Sequence, residues 1–175
     1  MISVFDAAVF TYSVLKDAKA PPDPTTGKPI DDAAERVSYL LERLSESPND
    51  RVLLPTPVLC EVLFLAEHEG FDMLEFIQKQ SMVEVVDFDS RAALEASIMI
   101  RKAWPDKKNL ERHSIKFDSQ ILAIAKVHAA KVIYTDDDKL AKKATELGIE
   151  AVGIGDLPLR PLDPQPDMFP DKRRS

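Results

Sequence analysis

The sequence predicts an α/β chain in three layers, with helices on both faces of a central, mostly parallel sheet of about four to five short strands. Two patterns predict it. Apolar segments of strand length alternate with segments of helical periodicity along most of the chain. The strand segments are continuous apolar runs, not alternating ones, as expected of strands buried on both faces. In such sheets ligands bind beyond the carboxyl ends of the strands, so residues that directly follow a strand are the first candidates for chemistry.

Ile2-Ser-Val-Phe5 reads as a short buried strand, followed by an apolar helix from Ala7 to Leu15. Residues 16–30 carry Pro21, Pro22, Pro24, Gly27 and Pro29, the composition of a loop or excursion. Asp31 or Asp32 then caps a helix with Val37, Leu40, Leu41 and Leu44 at helical spacing. Arg51-Val-Leu-Leu54 is a second buried strand. Thr56-Pro57 is a cap-and-first-turn signature for a helix from Val58 to about Glu67. Phe71 to Gln80 is expected as helix, Val83–Val86 as strand, and Ser90–Ala103 as helix with Leu94, Ile98 and Ile100 inward. Trp104-Pro105 ends that helix and opens a polar loop through His113. Helix resumes from Phe117 to Ala130, Val132–Tyr134 is strand, and a helix from about Asp138 stops at Gly148. Ile149–Val152 is the last strand. Five prolines from Asp156 onward mark a loosely docked or disordered tail. The expected organisation is one domain over residues 1–155 followed by a tail over 156–175.

Composition narrows the function. The 175 residues are 45% apolar and 30% charged, as in ordinary globular chains. Cys60 is the only cysteine, which excludes an internal disulfide; its apolar neighbours suggest a buried thiol in a reduced, cytoplasmic protein. The first residues lack a signal-peptide pattern, and no apolar run approaches the roughly 20 residues needed to span a bilayer. A net charge of -7 excludes bulk electrostatic coating of nucleic acid but leaves room for a local basic patch or a metal.

The carboxylates carry the chemistry. Asp6 follows the first strand directly. Glu61 stands in a helix apolar on nearly every face, where an unpaired carboxylate is costly. Asp118 is the one acidic residue of an otherwise apolar stretch of helix, expected in or near its first turn, where the helix dipole favours an anion. Asp136, Asp137 and Asp138 follow the strand that ends at Tyr134. Strand ends and the starts of the following helices share one side of a parallel sheet, so four acidic positions can meet in one cleft. Converging carboxylates raise one another's pKa or hold a cation. Oxygen ligands without a Cys/His cluster favour Mg²⁺ or Mn²⁺ over zinc.

Val4-Phe-Asp6-Ala, Thr56 with Glu61 five residues on, Phe117-Asp118-Ser-Gln-Ile-Leu-Ala123 and Tyr134-Thr-Asp136-Asp-Asp138 resemble, in this order, the acidic motifs of PIN-domain nucleases. Toxins of the VapC type from toxin–antitoxin pairs are the most similar group, over the chain from its first residues to about Val152. The resemblance implies a PIN-like fold and a Mg²⁺- or Mn²⁺-dependent endoribonuclease, dimeric and silenced by a cognate antitoxin. It makes Asp6 and Asp118 the principal metal ligands, completed by Glu61 and a fourth carboxylate. Ungapped counting from Asp118 favours Asp136, whereas a Thr-x-Asp pattern begun at Thr135 selects Asp137; the expectation here is Asp136, with Asp137 and Asp138 as neighbours or cap. A catalytically inactive RNA-binding or scaffolding module of the same fold is the alternative. A phosphohydrolase of the aspartyl-phosphate type expects a second aspartate two residues after the first, where this chain has Ala8.

The stretch Arg101–Lys116 carries six Lys/Arg against two Asp/Glu and leads directly to Asp118. Lys102, Lys107, Lys108, Arg112 and Lys116, with Thr135, are the candidate RNA contacts, and Trp104 is a candidate for base stacking. His113 is set aside, since a metal-activated water does not need a histidine.

Overall fold

A computed structural model describes residues 1–14, 20, 22, 23, 26–66, 70–103 and 109–161. The elements run β1 (Ile2–Phe5), α1 (Ala7–Val14), α2 (Ala33–Ser45), β2 (Arg51–Pro55), α3 (Thr56–Leu65), α4 (Gly70–Lys79) and β3 (Val83–Val86). They continue with α5 (Ser90–Ala103), α6 (Asn109–Val127), β4 (Val132–Tyr134), α7 (Asp138–Glu146), β5 (Glu150–Val152) and a 3₁₀ turn over Ile154–Asp156. The sheet has five strands in the order β3-β2-β1-β4-β5, and every pairing is parallel. β1 and β4 lie side by side with Phe5 opposite Tyr134. The three-layer α/β/α architecture is the one the sequence predicts.

The core follows the apolar runs. Val4, Phe5, Leu53, Leu54 and Ile133 of the central strands are at most 1% exposed, as are Ile121 and Ile124 of α6. Asp32 stands at the N-cap of α2 in left-handed backbone, φ 56°, and makes no side-chain cap bond. Thr56 lies inside α3, not before it, and its hydroxyl accepts the Phe88 N–H at 3.1 Å, tying α3 to the chain beyond β3. The described residues after β5, through Pro161, are anchored: Leu157 is buried, the Arg36 guanidinium donates to the Leu157 carbonyl, and Arg160 pairs with Glu42. The rest of the expected tail, 162–175, lies outside the described residues.

Four local expectations are corrected. In α5 Ala92 and Ala96 are the buried residues and Ile100 packs partly buried against the core as expected, while Leu94 is 65% and Ile98 43% exposed. Small side chains let α5 and α6 approach closely, so the larger residues face outward. The loop expected through His113 is helix from Asn109 on, since Leu-Glu-Arg-His-Ser-Ile-Lys contains no Gly or Pro and several good helix formers. Asp118 therefore lies in the middle of α6, beyond reach of an N-terminal dipole. Finally, the apolar α3 is not buried all round: Cys60 and Glu61 are exposed, and Phe64 is 79% exposed. With Phe71 of α4 at 90% exposed, α3 and α4 present an apolar face on the isolated chain.

Candidate active site

The chain order of the sheet reverses at β1, whose neighbours are β2 on one side and β4 on the other. Such a switch point opens a crevice at the carboxyl ends of the strands. The two strand exits are stitched together there: the Asp6 N–H donates to the Tyr134 carbonyl at 3.1 Å, and the Thr135 N–H to that of Val152 at 3.0 Å. The Thr135 hydroxyl donates to Asp6 Oδ2 at 2.7 Å and accepts the Asp137 N–H at 3.1 Å. Asp6 Oδ1 accepts the Ala7 N–H at 2.7 Å. Thr135, expected among the RNA contacts, is 2% exposed and instead fixes the orientation of Asp6.

A cleft of about 530 Å³ opens at this point, and Asp6, Glu61, Asp118 and Asp137 line it together. His113 and Ser114 of α6 line it too, and Phe117, Ile121 and Leu140 provide apolar wall. His113, set aside because a metal-activated water does not need a histidine, nevertheless borders the cleft from α6, one helical turn before Phe117. Asp118 is 5% exposed; its Oδ2 lies 2.8 Å from Lys143 Nζ and 3.4 Å from the Ser114 hydroxyl. Lys143 on α7 carries no local sequence signal and is found only in the fold.

Of the two aspartates weighed for the fourth position, the cleft is lined by Asp137 and not by the expected Asp136. Asp136 does not line the cleft; its Oδ1 accepts the Ile154 N–H at 2.8 Å, capping the 3₁₀ turn. Gly153 presses against it: a Cβ there would meet Asp136 Oδ1 at 3.2 Å, tighter than a side chain tolerates without a shift. Asp136 Oδ2 is buried with no hydrogen-bond partner among the described residues. Asp137 is the N-cap of α7, with Oδ1 accepting from Lys139 N at 2.7 Å and Leu140 N at 3.1 Å. Asp138 is the first residue of α7 and exposed. Lys102 and Lys116 are exposed on α5 and α6 and do not line the cleft. Trp104, Lys107 and Lys108 and the side chain of Arg112 lie outside the described residues.

Crowding shows in the acidities. Burial raises the Asp6 pKa above the usual carboxylate range; the hydrogen bonds from Thr135 and Ala7 oppose this, and the charges of Asp137 and Asp118 add to it. Burial also raises Glu61, with Asp6 as the next cause. Asp136 is raised by burial as well, against the bond from Ile154. A carboxyl raised in the folded state binds its proton there before it does in the unfolded chain. These groups therefore destabilise the metal-free fold at neutral pH, and the penalty disappears as pH falls through their folded pKa values. Chelator-treated protein is expected to melt higher in mildly acidic buffer, just above the ordinary carboxylate range, than at neutral pH. Thermal melts of the Asp6→Asn variant should show a smaller gain; an equal gain in both proteins would contradict the assignment to Asp6.

The PIN domain family model matches residues 30–146, two thirds of the chain. The chain belongs to the PIN-domain family. The matched span includes Glu61, Asp118 and Asp137 but not Asp6, which joins them through the pairing of β1 with β4. Solved structures share the PIN fold at low identity. A chain of VapBC2 from Rickettsia felis, solved with a promoter DNA fragment, is 14% identical, with 87% of this chain and 98% of that chain covered at a TM-score of 0.55. VapBC-1 from nontypeable Haemophilus influenzae gives 17% identity, coverage of 88% and 98%, and a TM-score of 0.55. VapC20 from Mycobacterium tuberculosis, a toxin that cleaves the sarcin–ricin loop, gives 14%, 82% and 95%, and 0.52. No match to a curated protein was found.

The donor set of this PIN domain fits a hard divalent cation in its chemistry. Four carboxylates from four segments border one cleft; burial first, and then their mutual charge, raises the pKa of Asp6 and Glu61, and a cation would offset both. Among the described residues no three His, Cys, Asp or Glu side chains are already gathered as a metal-holding group. Lys143 supplies the positive charge at Asp118 instead.

Proposed function

We propose that this PIN domain is a Mg²⁺- or Mn²⁺-dependent endoribonuclease that hydrolyses RNA phosphodiester bonds, acting as the toxin of a toxin–antitoxin pair. The observation that carries the proposal is the meeting of Asp6, Glu61, Asp118 and Asp137 in one cleft at the switch point of the sheet. Asp6 and Asp118 would hold the cation, with Glu61 and Asp137 completing the anionic wall. When bound, it would polarise the phosphodiester, activate water and offset charge developing on the leaving oxygen. Thr135 keeps Asp6 in one rotamer by holding its Oδ2, and Asp137 is fixed by its cap bonds to α7. Phe117, Ile121 and Leu140 reduce water on one side of the cleft, which strengthens the electrostatics of the other. Lys102, Lys107, Lys108, Arg112 and Lys116 are the proposed contacts to the RNA backbone.

The partner reading rests on the apolar face of α3 and α4. Phe64 and Phe71 are too exposed to be contributing to this chain's own core, and large apolar side chains exposed on two neighbouring helices fit an interface. The VapBC complexes among the structural neighbours support a cognate antitoxin as one occupant; a second copy of this chain is the other, proposed on the exposed apolar side chains alone. No helix among the described residues is long and apolar enough to cross a membrane, and RNA cleavage of this kind would take place in the cytoplasm.

The Lys143–Asp118 ion pair favours the second reading, a catalytically inactive RNA-binding or scaffolding module, since a cation already sits on a site carboxylate. One assay separates the two. Purified protein incubated with structured RNA is expected to cleave it with Mn²⁺ or Mg²⁺ and to stop when a chelator is added. Cleavage that persists in chelator contradicts the metal-dependent mechanism; RNA binding without cleavage or Mn²⁺ uptake selects the module.

A further inference from the structure

Lys143 lies in the last turn of α7, the helix whose N-cap is Asp137, and its Nζ reaches Asp118 Oδ2 at 2.8 Å. The reach follows from helix geometry: side chains lean toward the N-terminus, so a long lysine near the end of α7 points back along the helix toward the cleft. The contact differs from two other lysine ion pairs among the described residues. Lys79–Glu75 and Lys126–Glu95 lie at the surface, with lysine side chains 68% and 49% exposed, whereas the side chains of Lys143 and Asp118 are 30% and 7% exposed. A buried carboxylate left alone is costly, so the ammonium neutralises Asp118 where water does so poorly.

The same oxygen cannot serve two cations well. A divalent ion held by Asp118 Oδ2 would meet direct repulsion from an ammonium 2.8 Å from the same atom. The Ser114 hydroxyl, at 3.4 Å, is neutral and can remain. We propose that Lys143 is an internal counter-ion that holds Asp118 in the metal-free protein and must leave it for a divalent cation to bind there. Lys143 thereby keeps Asp118 ordered for the ion and at the same time sets the metal concentration at which the site fills. This rests on the metal-dependent reading of the cleft given above.

Mn²⁺ uptake by the full chain, read as free Mn²⁺ by electron paramagnetic resonance, tests it without any cleavage assay. Lys143→Met and Lys143→Gln remove the charge, keep a long flexible side chain in the partly buried last turn, and are compared with Lys143→Arg, which keeps it. Both neutral variants are expected to bind Mn²⁺ about tenfold tighter than wild type, the low end of the bias one charge at 4–6 Å exerts on a carboxylate. The arginine variant should stay near wild type. Equal or weaker binding by folded neutral variants, with wild-type binding intact and lost in Asp6→Asn, overturns the counter-ion role alone. No Mn²⁺ uptake by wild type and neutral variants alike overturns it together with the metal-dependent reading.

Discussion

Asp6→Asn is expected to abolish metal-dependent RNA cleavage while leaving the fold in place. The loss should reach about 10²–10³-fold or more, the scale on which one preorganised electrostatic group acts at a reacting centre. The substitution keeps the shape of the side chain and one carbonyl oxygen for the Ala7 N–H, which now meets Asp6 Oδ1. The Thr135 hydroxyl has a second acceptor site for the new amide N–H while it still accepts from Asp137 N. What disappears is the charge that Asp137 and Asp118 crowd and that a cation would relieve. Single-turnover cleavage, Mn²⁺ binding and a thermal melt on the same preparation make the test. Cleavage within a few-fold of wild type, with the melt unchanged, would remove Asp6 from the metal site.

The second large effect separates two adjacent aspartates. Asp137→Asn is expected to lower cleavage and Mn²⁺ affinity by at least about 10–100-fold, the range seen when even a supporting group at a metal site is lost. Asn is as good an N-cap as Asp, so α7 should keep its bonds from Lys139 N and Leu140 N and the variant should fold. Asp136→Asn is expected to cleave at close to the wild-type rate, because its carbonyl can still accept from Ile154 N. The contrast is informative because both variants change one charge at neighbouring positions. A tolerated Asp137→Asn beside an inactive Asp136→Asn would return the fourth carboxylate to Asp136.

That pair also shows where reading the sequence stopped. The spacing from Asp118 to Asp136 is correct as a count, but a count does not say which way a side chain points. Gly153 and the Ile154 N–H, on the segment after β5, draw Asp136 away from the cleft. The α7 cap turns Asp137 into it. Glu61 is a different case. It was singled out because its helix looked buried all round, yet Glu61 is exposed and α3 carries an outward apolar face. The residue belongs to the cleft, but the physical reason first given for it does not hold. Periodicity reports where apolar side chains are, and an apolar face waiting for another chain looks the same as one turned to the core. The basic stretch before Asp118 failed for another reason: its polar composition suggested a loop, whereas local propensity supported helix from Asn109.

The sequence by itself determined the layered α/β architecture, the strand positions of β1, β3 and β4, and the acidic residues that follow strands. These depend on local periodicity and on the chemistry of single side chains, both written in consecutive residues. Only the tertiary structure decided that β1 and β4 are neighbours and that Thr135 holds Asp6. Only there does Asp137 replace Asp136 in the cleft and Lys143 meet Asp118. Each of these is a contact across 18 to more than 100 residues, or a rotamer chosen by such a contact. Parallel pairing and side-chain direction are set by how the whole chain packs, and no local pattern encodes them.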